Sequence, residues 1–359
     1  MKILYAIQAT GNGHISRAEA LLPLFKKIAE VDILVSGTSA DIKLDYPIKY
    51  RFRGLSFIFG KNGGIDVWKT IRSIGVLRFL KDVNSLDLKD YDVVINDFEP
   101  VSAWASVFKK KRSIALSHQY SLLHSKVPKS SKKAFLARCI LRYYAPTKEG
   151  YGFHFLKYDE NIFTPIIKND FISRERQEKN QYVVYLPAYD DQKIIAVLHK
   201  IIFTNWIVFS KHTLNAYRIG NISFYPISKK QFNNSLLVSK GIICGAGFET
   251  PAEALYLKKK LLVIPMKNQY EQQCNAEALK KLGVPVLYGL EKKDIEIIKS
   301  YKPKDIIIHN DPISFQVFIL IIYSFFYKYS IYCVSNENNI ATNCLFFVKF
   351  NNGSLSKII

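Results

Sequence analysis

Five segments carry the residue types that chemistry at a phosphate or a hydroxyl requires. The first is Ala9-Thr10-Gly11-Asn12-Gly13-His14-Ile15-Ser16-Arg17, directly after a short apolar run. A turn of Gly11, Asn12 and Gly13 opening a helix leaves backbone N–H groups unpaired, which suits a phosphate or another charge-bearing group. His14 follows the turn, and a side chain titrating near neutrality suits a general base that takes a proton from a hydroxyl. Plainer readings stand beside both: a tight strand-to-helix turn, and a polar residue at a helix start. The turn is not a dinucleotide fingerprint, because Ser16 stands where GxGxxG needs its third glycine. The second strand also closes on Ser36-Gly37 rather than on an acid.

Two apolar runs end in Asp97-Phe98-Glu99-Pro100 and in Ser117-His118-Gln119-Tyr120. If their strands lie parallel to the first, Asp97, Glu99 and His118 share a rim with His14, at the strand ends where open α/β sheets bind ligands. Each alone reads equally as a cap or turn residue; together they favour a cleft. Asp90-Tyr91-Asp92 is an acidic pair of a kind that can hold a divalent metal, but it precedes its strand. That places it at the opposite rim as a solvated turn, and no metal site is assigned.

In the second half, an apolar run ends in Cys244-Gly245-Ala246-Gly247-Phe248-Glu249-Thr250-Pro251-Ala252-Glu253. Thr250 is the expected N-cap and Pro251 the first helical residue. Free N–H groups from Gly245, Ala246 and Gly247 to Thr250 suit a diphosphate, and Glu253, one turn in, suits ribose hydroxyls. A Thr-x-x-Glu capping box explains Thr250 and Glu253 equally well. After the run 261–264 and Pro265, the adjacent Glu271 and Gln272 offer an acceptor and an amide for sugar hydroxyls.

The elements that must position these residues are legible as strands at 3–7, 31–35, 93–96, 113–117, 182–186, 206–209, 222–224, 242–244 and 261–264, with amphipathic stretches between several of them. Apolar strands joined through helices predict an α/β fold of parallel sheets covered on both faces. At 359 residues the chain has room for two such units. The polar segment 168–180 sets the boundary near residue 170, giving domains 1–170 and 171–312 and a tail 313–359 of apolar and then Asn-rich character. The apolar run 313–327 is shorter than the roughly 20 residues of a spanning helix, and reads as a buried or interfacial helix.

Lys and Arg number 51 against 30 Asp and Glu, a formal charge of +21, which favours an anionic partner. Five cysteines without metal spacing argue against a disulfide framework or structural zinc and fit a reducing cytoplasm. The start of the chain lacks the pattern of a signal peptide. Between 109 and 142 lie ten Lys or Arg and no acid, interleaved with apolar residues such as Leu122, Phe135 and Ile140. Such a stretch suits peripheral contact with an anionic membrane or a lipid-linked phosphate, and equally a solvated basic face.

Taken together, the GxGH loop, the G-x-G-x-x-T-x-x-E segment and the Pro…Glu-Gln-x-x-Asn-Ala segment resemble GT-B glycosyltransferases over about residues 1–300. The pattern is similar to that of the superfamily of the lipid II-forming N-acetylglucosaminyltransferase. It is also similar to bacterial and archaeal relatives carrying Asp-Phe-Glu-Pro and Ser-His-Gln, as at 97–100 and 117–119 here. The resemblance implies two Rossmann-like domains facing across a cleft and a nucleotide-sugar donor, UDP-linked, held by the second. It implies Glu253 at the ribose, Gly245 to Thr250 at the phosphates and Glu271 with Gln272 at the donor sugar. Gly11 to His14 would face the acceptor, a glycan or lipid-linked molecule, with His14 or Asp97 as base and direct displacement with inversion. No metal or other cofactor is implied. The first loop has fewer glycines than in the lipid II enzyme, so the acceptor does not carry over. The tail also differs from the helix that usually packs back across the two domains. Two alternatives are an epimerase or hydrolase of nucleotide sugars on the same fold, and a non-catalytic sugar- or polyanion-binding protein. No RNA- or DNA-binding module is recognisable, which argues against a nucleic-acid partner.

Overall fold

The computed structural model describes residues 1–37, 44–55, 75–130, 135–172 and 177–300, with three short strands beyond residue 329. All nine expected strands form. The first sheet contains β1 (Lys2–Gln8), β2 (Glu30–Ser36), β3 (Tyr50–Phe52), β4 (Val93–Asp97), β5 (Ser113–Ser117), β6 (Glu149–Phe153) and β7 (Ile162–Phe163). They lie in the order β3-β2-β1-β4-β5-β6-β7, every pair parallel. The helices α1 (Asn12–Phe25), α2 (Val76–Ser85), α3 (Pro100–Phe108), α4 (His118–Ser121) and α5 (Phe135–Tyr143) accompany it. On α1, Ile15, Ala18, Leu21, Leu22 and Phe25 recur at helical spacing and are buried. Burial of Leu21 and Phe25 contributes roughly 1.5–3 kcal/mol each.

A short α6 (Asn169–Ile172) leads towards the second sheet. That sheet comprises β8 (Gln181–Tyr185), β9 (Asn205–Phe209), β10 (Tyr217–Ile219), β11 (Ile222–Tyr225), β12 (Gly241–Cys244) and β13 (Lys260–Val263), in the order β10-β11-β9-β8-β12-β13. Only β10 runs antiparallel to its neighbour. Its helices are α7 (Asp191–Leu198), α8 (Lys229–Val238), α9 (Glu249–Tyr256), α10 (Tyr270–Lys281) and α11 (Ile295–Ser300). In the tail, β14 (Ser330–Val334), β15 (Leu345–Lys349) and β16 (Leu355–Lys357) pair antiparallel. The apolar run 313–327 lies outside the described residues, and among the described residues no helix is long and apolar enough to cross a membrane.

One apolar cluster runs without a break from Ile3, Ile95 and Leu116 of the first sheet to Ile242 and Leu261 of the second. At the seam Phe248 stacks on His118, centroids 4.1 Å apart, and packs against Phe155 at 5.2 Å. The carboxyl ends of β1, β4 and β5 therefore face those of β12 and β13 across a cleft.

Candidate active site

The cleft has a volume of about 350 Å³ and is lined from both domains, by Gly11 to His14, Arg17 and His118 on one side and by Gly245, Gly247, Thr250, Glu271 and Gln272 on the other. Gly11 takes the N-cap position of α1 with no side-chain cap. The side chain of Asn12 reaches across to the Tyr185 hydroxyl at 3.4 Å.

His14 Nδ1 lies 2.9 Å from Asp97 Oδ1. A carboxylate can only accept, so the bond to Asp97 requires the proton on Nδ1; Arg17 Nη2, 3.1 Å from that nitrogen, then donates to Asp97 at 2.7 Å instead, and Nε2 keeps its lone pair towards the cleft. The Gln119 amide group, 3.4 Å from Nε2, is oriented to donate to it. Asp97 is fully buried and both its oxygens are engaged, Oδ2 by Arg17 Nε at 3.0 Å and Oδ1 by Arg17 Nη2 at 2.7 Å. Burial alone would raise the Asp97 carboxyl; the Arg17 guanidinium and the His14 ring outweigh it and hold it below the ordinary carboxylate range. Arg17, 3% exposed, also pairs across the seam with Glu249.

The chain turns at Phe98, whose φ is 56°, an uncommon value for a bulky residue, and this separates the two acids that flank it. Asp97 meets α1. Glu99 does not reach the cleft: fully buried, it caps α3 by accepting from the N–H groups of Val101 (2.8 Å) and Ser102 (2.6 Å), with Pro100 next in line. Of the two readings open to Glu99, the structure places it as a cap. His118 meets the cleft but is held by Phe153 O and Asn275 Oδ1, each at 2.8 Å. Burial lowers its pKa against the pull of Glu271 and of those two acceptors.

On the donor side the expected N-cap is displaced. The helix α9 begins at Glu249, with Phe248 at the N-cap position and no side-chain cap, and Thr250 sits inside the first turn. Pro251, at the third helical position, needs no N–H partner there. The turn's early N–H groups thus lack the side-chain oxygen that a capping box would supply. A Cβ at Gly245 would lie 3.4 Å from the Gln272 side-chain oxygen, so that side chain packs directly against the glycine. That oxygen accepts from the Met266 N–H at 2.9 Å, which leaves the Gln272 amide N–H groups available. The side chain of Ala246 turns into the core, and its carbonyl accepts from Asn275 at 3.1 Å. Glu271 accepts from Gln119 at 3.0 Å.

Glu253 lies beside the cleft, in a side cavity of about 70 Å³ bounded by Tyr185, Phe232, Glu249 and Thr250. Instead of closing a capping box, it forms a buried ion pair with Lys168 at 2.8 Å. Burial would lower the Lys168 ammonium; Glu253 outweighs it and raises it. Sequence reasoning passed over Arg17, Lys168, Glu249 and Asn275. Only Arg17 had a local signal, three residues after His14 and so on the same helical face.

Two parallel-sheet domains facing across a ligand-sized cleft define the GT-B fold. The profile of glycosyl transferase family 1 matches residues 1–303, and the chain belongs to that family. Its class of activity is glycosyl transfer. Solved structures agree on the fold at low identity. MurG of Acinetobacter baumannii is 12% identical, with TM-score 0.55, over 90% of this chain and 100% of that one. Arabidopsis thaliana UGT89C1 complexed with UDP is 13% identical, with TM-score 0.54, over 83% and 90%. A putative UDP-N-acetylglucosamine 2-epimerase from Listeria monocytogenes is 11% identical, with TM-score 0.56, over 91% and 97%. Comparison with curated proteins gave no significant sequence match.

Proposed function

We propose that the protein transfers a hexose-type sugar from a UDP-linked donor, held by residues 171–312, to a hydroxyl of an acceptor on the first domain, residues 1–170, with inversion. The observation that carries this reading is the His14–Asp97 pair, whose Nε2, met by the Gln119 amide at 3.4 Å, faces the donor-side loop across one cleft. His14 takes the proton from the attacking hydroxyl, and Asp97 fixes the ring and its tautomer rather than acting as base itself, because both its oxygens are occupied. The diphosphate lies along the loop Gly245 to Gly247, at the N–H groups of Ala246, Gly247 and the start of α9, the Gly245 N–H being bonded to the Tyr185 carbonyl; these groups stabilise its departing charge without calling on a metal. Glu253 holds the ribose at the mouth of the side cavity. Glu271 and the Gln272 amide hold the donor sugar, and Thr250 lies between the two. Glycosyltransferases similar in fold have been solved in complex with UDP and with UDP-2fluoro-glucose, which supports UDP as the nucleotide.

The acceptor lies along the first-domain wall, past Gly11, Asn12, Gly13 and His118, and extends by way of α5. That helix turns Ile140 and Leu141 to the cleft and exposes Phe135 (76%), Leu136 (55%) and Tyr143 (59%) beside Arg138 and Arg142. Apolar and basic side chains together suit an anionic lipid-linked or envelope glycan met at the inner face of a membrane.

A thermal-shift panel of nucleotides and nucleotide sugars tests the donor. A ligand at 100 times its dissociation constant adds about 2.7 kcal/mol to the native state. UDP or one UDP-sugar raises Tm selectively; no response to any nucleotide overturns the reading. His14→Ala is expected to leave UDP affinity within about twofold while transfer falls by about 10²–10⁴-fold.

A further inference from the structure

Asp97 is already neutralised from inside its own domain. Arg17 makes two hydrogen bonds to its carboxylate, at 3.0 and 2.7 Å, and approaches His14 Nδ1 at 3.1 Å. Counted within the first domain, Asp97, Arg17 and a neutral His14 sum to zero. A proton arriving on His14 would leave that group at +1, in a place where Asp97 is 0% and Arg17 3% exposed. An uncompensated charge at such burial is strongly disfavoured. The missing anion comes from the other domain: Glu249, at the first position of α9, pairs with the outer nitrogen of Arg17. With Glu249 ionised the four groups sum to −1 before proton transfer and to 0 after it.

We propose that Glu249 of the donor domain is the counter-charge that makes His14 a competent base, acting through Arg17, so that basicity at the acceptor side depends on docking of the donor domain. This rests on the reading of His14 as base and deepens it; Glu249 is a positioning residue. The fit is close: a Cβ on Gly13 would lie 3.3 Å from Glu249 Cγ, so a larger residue before His14 would press on the side chain that reaches Arg17. The other charged groups near Glu249 are Glu253 and Lys168, which pair with each other, and Asp97. On the cleft side, Glu271 faces His14 through Gln119.

The test reads the ring nitrogens of His14 by NMR across a pH titration of the full chain, in the parent and in Glu249→Gln. The half-buried His124, beside Asp159 and far from this cluster in the chain, serves as internal control. The midpoint of the His14 titration is expected to fall by on the order of one pH unit in Glu249→Gln, with His124 unmoved. An unmoved His14 overturns the proposal. Should Glu249→Gln not fold, the parent still decides it. His14 ring nitrogens and the Glu249 carboxyl carbon then titrate as a coupled pair, each curve showing the other's midpoint, whereas two independent single-step curves overturn it. Calorimetry of the parent with UDP separates the two levels. Absence of UDP binding sinks the donor assignment and leaves the coupling result standing.

Discussion

The two rims of the cleft are built on opposite plans. On the first-domain rim, His14 and Arg17 of α1 fix Asp97 of β4, whose two oxygens are both engaged, and the outer nitrogen of Arg17 reaches across to Glu249. On the proposed donor rim, the helix α9 opens without a side-chain cap and the acids are engaged elsewhere. Glu253 pairs with Lys168 from the segment before α6, Glu249 with Arg17, and Glu271 with Gln119. Chemistry at a reacting proton needs groups oriented beforehand, so that rim is rigid by construction. If the second rim admits and releases a charged nucleotide as proposed, it gains from contacts that a ligand can replace.

Asp97→Asn attacks the first plan and carries the largest expected effect. The amide can no longer hold the Nδ1 proton as an anion does, and Arg17 loses one of its two carboxylates. Turnover is expected to fall by about 10²-fold or more, with a loss of roughly 1–3 kcal/mol in stability. UDP affinity, read by calorimetry, should remain within about twofold. A loss of UDP affinity matching the loss of turnover would erase the distinction between the rims.

Glu253→Gln attacks the second plan. The amide cannot neutralise Lys168, and the charged acceptor for ribose hydroxyls is gone. The UDP dissociation constant should rise about tenfold, the scale of one hydrogen bond to a charged group. Turnover at saturating donor should stay within about threefold of the parent. Unchanged affinity would remove Glu253 from the donor site.

The difference between the rims also governs what the sequence discloses. Apolar β-branched runs mark buried parallel strands directly, so β1, β4, β5, β8, β12 and β13 were legible, and with them the positions of His14, Asp97 and His118 at strand ends. The strand β6 was not, because Glu149-Gly150-Tyr151-Gly152-Phe153 reads as a glycine loop. Its glycines are imposed from outside: a Cβ on Gly150 would lie 2.6 Å from the Tyr120 ring, and one on Gly152 2.6 Å from Ser121. The strand β10 is exposed at all three positions and carries no burial signal. Asp97 and Glu99 look alike in sequence, and only the turn at Phe98 sends one to α1 and the other to a cap. The pair Arg17–Glu249 joins positions 232 residues apart, and no local pattern encodes it. Lys168 belongs to a polar segment that reads as linker, and its pairing with Glu253 exists only once the domains meet.

The seam between the rims yields the smallest effect and the finest comparison. His118 belongs to the first domain but spends its Nε2 on Asn275 of the second, and His154 lies 5.2 Å from it, fully buried. Burial lowers both rings from the ordinary value of 6.5, His154 well below it. A ring with a lowered native value binds fewer protons folded than unfolded. Stability is therefore lost as pH falls below about 6.5, and the loss ends below the lowered values. Glu249 works in the opposite sense: burial raises it to about 7 from 4.5, so acidification through that window stabilises the docked state. In Glu249→Gln that opposing contribution is absent, and Tm should fall more steeply from pH 7 to pH 5 than in the parent. Adding His118→Gln should flatten the fall, since an amide keeps a hydrogen-bonding group at the seam without a proton to gain. An equally steep fall without the His118 ring would move the acid sensitivity away from the seam and into one rim alone.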